Sequence, residues 1–348
     1  MKIFACQNCG QLVHFENTGC MTCGAPLGFL PATLTLSALA PAKNGGQIAL
    51  GGPGEIWRAC ANAEILGCNW MVPAGDPGGY CPSCALDNTI PDLDVAGNLE
   101  GWRAIEIAKR RLVYALMRLN LPMTSAAADG NLRFDFLADM PGADPVLTGH
   151  DGGLITLNIA EADSTERERR RASLGEPYRT LLGHLRHEVC HYYWDLLVRD
   201  AGRIGDSRAV FGDESVDYGA AMTAYYENGP PPGWQQSHVS AYATMHPWED
   251  FAETWTHYLH MIDTLDTAAS FGMAINPVVV DDPAANAHVG FDPYHAPDVD
   301  RLVEAWRPLT VALNSMNRSM GQPDLYPYAL NPPVVEKLRF IHALVQGS

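Results

Sequence analysis

Two histidines and a glutamate in the middle of the chain have the types and spacing needed to hold and use a metal ion. The sequence from His187 to His191 reads H-E-V-C-H. On a helix His187 and His191 lie one turn apart on the same face, so both imidazoles can bind one cation. Glu188 lies beside them and can take a proton from a metal-bound water. The segment matches the H-E-x-x-H motif of zinc hydrolases, although core helices with incidental histidines can carry the same letters.

The residues around this motif predict the helix that must position it. Between Glu176 and Val198, apolar residues recur every three to four positions, which is typical of a helix with one face in the core. Pro177 suits a first helical position, because its φ is already fixed and its missing N–H would have no partner there. Cys190 is predicted to be a small core residue. The predicted apolar face consists of Leu181, Leu182, Leu185, Val189, Leu196 and Leu197.

A catalytic zinc site needs a third protein ligand, and a second predicted helix offers one. The extension H-E-x-x-H-x-x-G-x-x-H fails, because Trp194 and Leu197 replace its glycine and its last histidine. A helix predicted to start near Pro247 carries Glu249 and Glu253 as E-x-x-x-E. We expect Glu249 to be the third ligand, and Glu253 to orient a ligating histidine from behind.

A tyrosine upstream of the third ligand adds to this pattern. Tyr242 lies seven residues before Glu249. The spacing resembles that of gluzincin peptidases of the anthrax lethal factor type. This resemblance implies that the phenol of Tyr242 assists the transition state.

The first cysteines of the chain predict a structural zinc site. Cys6, Cys9, Cys20 and Cys23 follow the spacing C-x2-C-x10-C-x2-C. Each pair places two thiolates on a tight turn, and four thiolates close a tetrahedral zinc site with no open position. Such a site stabilises a fold and is not catalytic.

A second group of cysteines is less regular. Cys60, Cys68, Cys81 and Cys84 are separated by seven, twelve and two residues, and the last two form another C-x2-C pair. We interpret the group as a second structural zinc site. The alternative is that Cys60 and Cys68 only pack beside nearby tryptophans.

Composition limits the possible partners. The chain has 348 residues, 47% of them hydrophobic, and a net charge of −17 from 23 basic and 40 acidic residues. No apolar run approaches the ~20 residues of a membrane span, and the N-terminus has no apolar signal segment. We therefore expect a cytoplasmic protein with no affinity for membranes or nucleic acid. The basic residues before position 100 are Lys2, Lys43 and Arg58, so the cysteine-rich region lacks the Lys/Arg cluster that contact with nucleic-acid phosphates requires.

The remaining patterns predict an α+β fold with two domains, residues 1–95 with both cysteine sites and residues 96–348 with the H-E-x-x-H helix. The second domain is predicted to combine a small mixed sheet with a helical C-terminal lobe. An edge strand of that sheet could pair with an extended substrate. Lys109-Arg110-Arg111 is interpreted as a solvated helix face. Strands are predicted at 32–36, 132–137, 145–148 and 153–159, and helices at 98–119, 298–316 and from 333 onward.

Nearly the whole chain resembles a bacterial family of zinc-binding metallopeptidases with an N-terminal zinc-ribbon domain. The resemblance implies a zincin fold and hydrolysis of a peptide or protein substrate. The stretches that carry it are the front cysteine pairs, Cys68-Asn69-Trp70, Lys109-Arg110-Arg111-Leu112, Thr148-Gly149-His150, Gly153-Leu154-Ile155-Thr156, Glu161-Ala162-Asp163, Arg179-Thr180-Leu181-Leu182-Gly183-His184, Arg186-His187-Glu188, His191-Tyr192-Tyr193-Trp194, Phe211-Gly212-Asp213-Glu214 and His246-Pro247-Trp248-Glu249-Asp250.

Three functions remain open at this point. The chain is a zinc peptidase with Glu188 as general base, a zinc-ribbon interaction module with an inactive zincin domain, or a zinc hydrolase of a non-peptide amide. The set Glu188, Tyr242 and Glu249 argues against the second, because a binding module needs no general base. We expect one catalytic zinc ion and one or two structural ones. Among the other histidines, His246 is the best candidate for contacting substrate.

Overall fold

The N-terminal part of the chain is built from short antiparallel strands. The computed structural model describes residues 2–43, 45–124, 131–140, 142, 144–165, 167, 169 and 180–347. Two small hairpin strands precede a five-stranded antiparallel sheet in which neighbours in sequence are neighbours in space. The elements are β1 (Phe4–Ala5), β2 (Leu12–Val13), β3 (Leu27–Leu30), β4 (Thr35–Pro41), β5 (Gln47–Ala49), β6 (Ile56–Ala59), α1 (Ala63–Leu66) and β7 (Met71–Pro73). The strand predicted at 32–36 is wrong in position, because a turn separates β3 from β4 there.

A second, mixed sheet belongs to the part of the chain that carries the metal motif. Its strand order is β10-β11-β9-β8, with β10 antiparallel to β11 and the other pairs parallel. The strands are β8 (Asp87–Thr89), β9 (Arg133–Leu137), β10 (Gly149–Asp151) and β11 (Leu154–Asn158). The predicted strands at 132–137 and 153–159 are thus confirmed, whereas 145–148 is wrong, because the strand begins at Gly149. β8 joins this sheet although it precedes the predicted domain boundary.

Helices make up most of the remaining described chain and, together with the sheets, confirm the predicted α+β class. They are α2 (Asn98–Arg118), α3 (Leu181–Trp194), α4 (Ile204–Phe211), α5 (Tyr218–Asn228), α6 (Pro247–Ser270), α7 (Val299–Ser319) and α8 (Pro332–Gln346), with a hairpin of β12 (Ala274–Ile275) and β13 (Ala287–His288) before α7. None of the helices in the described part of the chain is long and apolar enough to cross a membrane.

The motif helix α3 is capped at its start and changes its helical type at its end. Its N-cap is Thr180, whose hydroxyl accepts a hydrogen bond from the backbone N–H of Gly183 at 3.0 Å. The predicted start at Pro177 lies outside the described residues. At the other end the helix widens into a π-helical turn over Asp195–Arg199.

The core between α3 and α6 holds together the two helices that carry the predicted ligands. Val189 and Cys190 on α3 are completely buried, as are Phe251 and Trp255 on α6. Tyr193 of α3 stacks on Trp255, with ring centroids 5.2 Å apart. Burial of several large side chains, each contributing roughly 1.5–3 kcal/mol, fixes the spacing of the two helices. Cys190 is the core residue that was predicted.

The basic run on α2 is not a solvated face, so that interpretation is wrong. Lys109 is completely buried and Arg110 is 3% exposed. Lys109 pairs with Glu106, one turn earlier at 2.5 Å, and with Asp87 on β8. The buried charge is tolerated because carboxylates surround it. Helical periodicity could not identify Asp87 as a partner of Lys109, because Asp87 lies on strand β8 and is brought close only when the chain folds. Arg111 is the partly exposed member of the run and pairs with Glu16 at 2.6 Å.

Candidate metal centre

The packing of α3 against α6 brings the three predicted ligands together. Metal-binding atoms of His187, His191 and Glu249 all lie within 4.8 Å of one another. Nε2 of His187 is 2.9 Å from Oε2 of Glu249, and Nε2 of His191 is 3.7 Å from Oε1. Glu249 comes early in α6 because Pro247 begins that helix and His246 caps it.

A zinc ion fits these residues on two grounds. In a tetrahedral site with bonds of about 2.0–2.1 Å, ligand atoms are about 3.3 Å apart, and the two observed separations bracket that value. In addition, Oε2 of Glu249 is buried and faces Nε2 of His187 at 2.9 Å, an arrangement that suits an ion held between the two atoms. Burial alone would raise the pKa of Glu249, but the nearby His187, His191 and Tyr218 lower it to about 2. The carboxylate is therefore ionised, as a metal ligand must be.

The groups behind His187 fix its ring. Nδ1 of His187 lies 2.8 Å from Oε1 of Glu253, which leaves Nε2 pointing toward Glu249. The other oxygen of Glu253 accepts a hydrogen bond of 2.6 Å from the hydroxyl of Ser240. A carboxylate behind a histidine is the usual partner of a metal-ligating imidazole, because it sets the tautomer. The structure thus places Glu253 where the sequence predicted it, and adds Ser240.

Glu188 is held by His184, a histidine outside the predicted set of metal ligands. Oε1 of Glu188 lies 3.2 Å from Nε2 of His184, one turn earlier on α3. Nδ1 of His184 lies 2.6 Å from Oε2 of Glu161. Burial alone would raise the pKa of Glu188, but the His184 contact and the nearby His187 and His191 lower it. Glu188 is therefore a carboxylate that can accept a proton.

Two tyrosines face the centre, and only one of them was predicted. Tyr242 begins a short 3₁₀ turn before α6, and its ring centroid lies 6.0 Å from that of His187. Burial and the nearby Glu249 raise the pKa of Tyr242, so its phenol keeps its proton. Tyr218 donates a hydrogen bond of 2.9 Å to Oε1 of Glu249. Tyr218 is the first residue of α5, a helix without a buried residue, and no sequence pattern links it to Glu249, which lies 31 residues later.

Other residues near the centre have packing or capping roles. The ring of Trp248 packs on His191, with centroids 3.9 Å apart. His150, on strand β10, lies 6.1 Å from His191 by the same measure. His246, the expected substrate contact, is buried and accepts a hydrogen bond from the backbone N–H of Trp248, which caps α6. Asp195 pairs with Arg199 at 2.6 Å and not with a ligand.

The first cysteine group has the geometry of a four-thiolate site. The Sγ atoms of Cys6 and Cys23 are 3.8 Å apart, and those of Cys9 and Cys20 are 3.6 Å apart. A disulfide would require about 2.05 Å. The edges of a zinc–thiolate tetrahedron with bonds of about 2.3 Å measure about 3.8 Å, so these four sulfurs fit around one zinc ion.

The second cysteine group is equally compact in spite of its irregular spacing. Its four ligand atoms lie within 4.8 Å of one another, and Sγ of Cys68 is 3.8 Å from that of Cys81 and 3.9 Å from that of Cys84. All four side chains are buried, including Cys60. The structure therefore brings Cys60 and Cys68 into the cluster, and does not leave them as separate packing residues.

Two family models and several relatives match the chain. A family model described as "Putative zinc-binding metallo-peptidase" matches residues 98–344, and a zinc-ribbon domain model matches residues 3–95. Proteins of Mycobacterium tuberculosis (strain H37Rv) and Mycobacterium bovis, both described as uncharacterized, are 42% identical over 347 residues, which is 99% of this chain and 95% of theirs. No solved structure matches the chain.

Proposed function

Because the chain belongs to the zinc-binding metallo-peptidase family, with an N-terminal zinc-ribbon domain, we propose that it hydrolyses peptide bonds at the centre formed by His187, His191 and Glu249. The observation that carries the proposal is the convergence of these three side chains beside the carboxylate of Glu188. A three-ligand zinc site leaves a coordination position for water, which a purely structural site does not need.

Glu188 is the general base of the proposed reaction. Bound zinc would lower the pKa of the attacking water and polarise the scissile carbonyl. Glu188 accepts a proton from the water as its oxygen bonds to the carbonyl carbon. Glu188 then returns this proton to the amide nitrogen as the C–N bond breaks, leaving a carboxylic acid and an amine.

Tyr242 supports this reaction as a hydrogen-bond donor. The carbonyl oxygen gains negative charge when water adds, and a fixed donor stabilises that charge more than it stabilises the neutral substrate. The raised pKa of Tyr242 keeps its phenolic proton available for this bond.

Strand β10 favours a peptide over a non-peptide amide as substrate. It lies at the end of the four-stranded sheet and carries His150, whose ring is close to His191. An extended peptide can add a further strand to such an edge through main-chain hydrogen bonds, which orients a series of peptide bonds past the centre.

The two cysteine groups have a structural role in this proposal. Each supplies four thiolates, so zinc bound there has no open position for substrate. We propose two structural zinc ions and one catalytic ion per chain.

The test is a cleavage screen that compares wild type with Glu188→Gln. Both zinc-loaded proteins are incubated with a peptide library and with denatured protein, and products are identified by mass spectrometry. We expect cleavage by wild type and a loss of at least about 100-fold in the variant, because general base catalysis typically contributes that much. The zinc content should be equal. Cleavage at equal rates, or none by fully zinc-loaded wild type, would contradict the proposal.

A further inference from the structure

The carboxylate of Glu188 is connected to a buried pair of side chains outside the ligand set. His184 and Glu188 are four residues apart on α3, so they lie on the same face of the helix. One ring nitrogen of His184 is 3.2 Å from Glu188 and the other is 2.6 Å from Glu161. The three side chains form a continuous line from the 3₁₀ turn Ile159–Ala162 to the centre.

Glu161 is itself fixed from several directions. It is 1% exposed, and its Oε1 accepts a hydrogen bond of 3.2 Å from the hydroxyl of Thr148. Arg167 donates a hydrogen bond of 2.7 Å to its backbone carbonyl. The turn is also capped by Asn158, whose side chain accepts from the N–H of Ala160. A carboxylate held this firmly can set the orientation of the His184 ring.

We propose that His184, held by Glu161, is a positioning residue that fixes the carboxylate of Glu188 for proton transfer. The inference rests on the proposed function, in which Glu188 is the general base. A base works efficiently only within hydrogen-bond reach of the proton that it takes, and a free glutamate side chain visits several rotamers.

The two contacts of His184 have separable roles. The bond to Glu161 joins the turn after β11 to α3, so it stabilises the fold. The bond to Glu188 joins two residues of one helix, which the backbone already holds together. Burial alone would lower the pKa of His184, but the two carboxylates raise it to about 9. Both ring nitrogens can therefore carry protons at neutral pH and donate to both partners.

A matched pair of variants separates these roles. In His184→Asn the amide nitrogen lies near the position of Nδ1, so the contact with Glu161 can persist while that with Glu188 is lost. In His184→Gln the nitrogen lies near the position of Nε2, so the contact with Glu188 can persist. We expect His184→Asn to lower kcat about 10–100-fold, as loss of an orienting group typically does, with KM and zinc content unchanged. His184→Gln should keep most of the wild-type kcat. Equal losses, or a larger loss in His184→Gln, would overturn the inference.

A spectroscopic measurement tests the contact without any substrate. The ring N–H signals of His184 are identified in zinc-loaded, ¹⁵N-histidine-labelled protein by comparison with His184→Gln. Glu188→Gln should shift the Nε2–H signal and leave the Nδ1–H signal in place. If neither signal moves, the inference is overturned. If the signal shifts but wild type cleaves no peptide, the contact is supported and it is the proposed function that fails.

Discussion

The cysteine clusters and the histidine–glutamate centre both gather metal-binding groups, but their surroundings differ. In the second cluster, sulfur atoms lie against other sulfurs and accept backbone N–H bonds, such as that from Cys81 to Cys60 at 3.4 Å. At the centre the ligands touch further functional groups, with Glu253 behind His187 and Tyr218 on Glu249. Four thiolates fill a zinc ion's positions, whereas two histidines and a carboxylate leave one open.

The supporting structure differs in the same way. The cysteines lie in turns and irregular segments outside the strands, where zinc binding itself would supply folding free energy. The ligands of the centre lie on α3 and α6, two helices that bury large side chains against each other. Under the proposed function, zinc in the clusters would maintain the fold, whereas zinc at the centre would serve chemistry on two helices that packing already holds together.

The strongest test of this contrast is Glu249→Ala. Removing the third ligand should empty the centre and abolish peptide cleavage, while both clusters keep zinc and the N-terminal sheet stays folded. Zinc per chain is measured before and after exposure to a mild chelator, which should also take the ion at the centre of the wild type first. Structural thiolate sites bind zinc with roughly 10–16 kcal/mol, so they should resist it. Loss of all zinc from Glu249→Ala would show that the regions are not independent.

A second test concerns the chemistry that distinguishes the centre. Tyr242→Phe removes one donor to the developing oxyanion, which typically costs ~3–4 kcal/mol of transition-state stabilisation. We expect kcat to fall by roughly two to three powers of ten, with KM and zinc content nearly unchanged. Tyr80→Phe, at an exposed tyrosine of the cysteine-rich region, is the matched control and should have wild-type kinetics. A fully active Tyr242→Phe enzyme would remove this phenol from the mechanism.

A smaller effect on zinc binding is expected from Glu253, which lies behind the predicted ligand His187. Glu253→Ala frees Nδ1 of His187, so the ring loses its orienting partner. Zinc affinity at the centre should fall about 10–100-fold without being abolished, as measured by competition with a chelator of known affinity. Glu253→Gln keeps a hydrogen-bond acceptor for Nδ1 of His187, so its loss of zinc affinity should be smaller. If Glu253→Ala emptied the centre while Glu249→Ala retained zinc, the roles of the two glutamates would be reversed.

Within the centre, the sequence predicted most directly the pairs of residues whose relation is local. His187 and His191, or Glu249 and Glu253, are one turn apart on a single helix, so their relative placement follows from spacing. The first cysteine group is local in the same sense. Such patterns also predicted most helices and the longer strands of the mixed sheet.

What the sequence could not show depends on contacts between distant segments. Tyr218 reaches Glu249 from a different helix, and Glu161 reaches His184 from the sheet. The buried Lys109 was misjudged for the same reason, because its partner Asp87 lies on β8, 22 residues earlier. Helix periodicity describes one element at a time, so it cannot identify partners supplied by another.

The smallest expected effect concerns an ion pair at the protein surface, which joins the cysteine-rich region to helix α2. Nε of Arg111 on α2 lies 2.6 Å from Oε1 of Glu16, and both side chains are about one-third exposed, at 37% and 32%. Exposed pairs of this kind contribute roughly 0.2–1 kcal/mol, because water and salt screen the charges. Arg111→Ala should therefore lower the free energy of unfolding by at most about 1 kcal/mol, and by less at high salt.

Denaturant titration at two salt concentrations measures this change in the free energy of unfolding, with zinc content and cleavage rate followed in parallel. Both should stay at wild-type values, because the pair touches neither a cysteine cluster nor the centre. Loss of zinc from the centre of Arg111→Ala would mean that its scaffold depends on the cysteine-rich region, contrary to the contrast drawn between them.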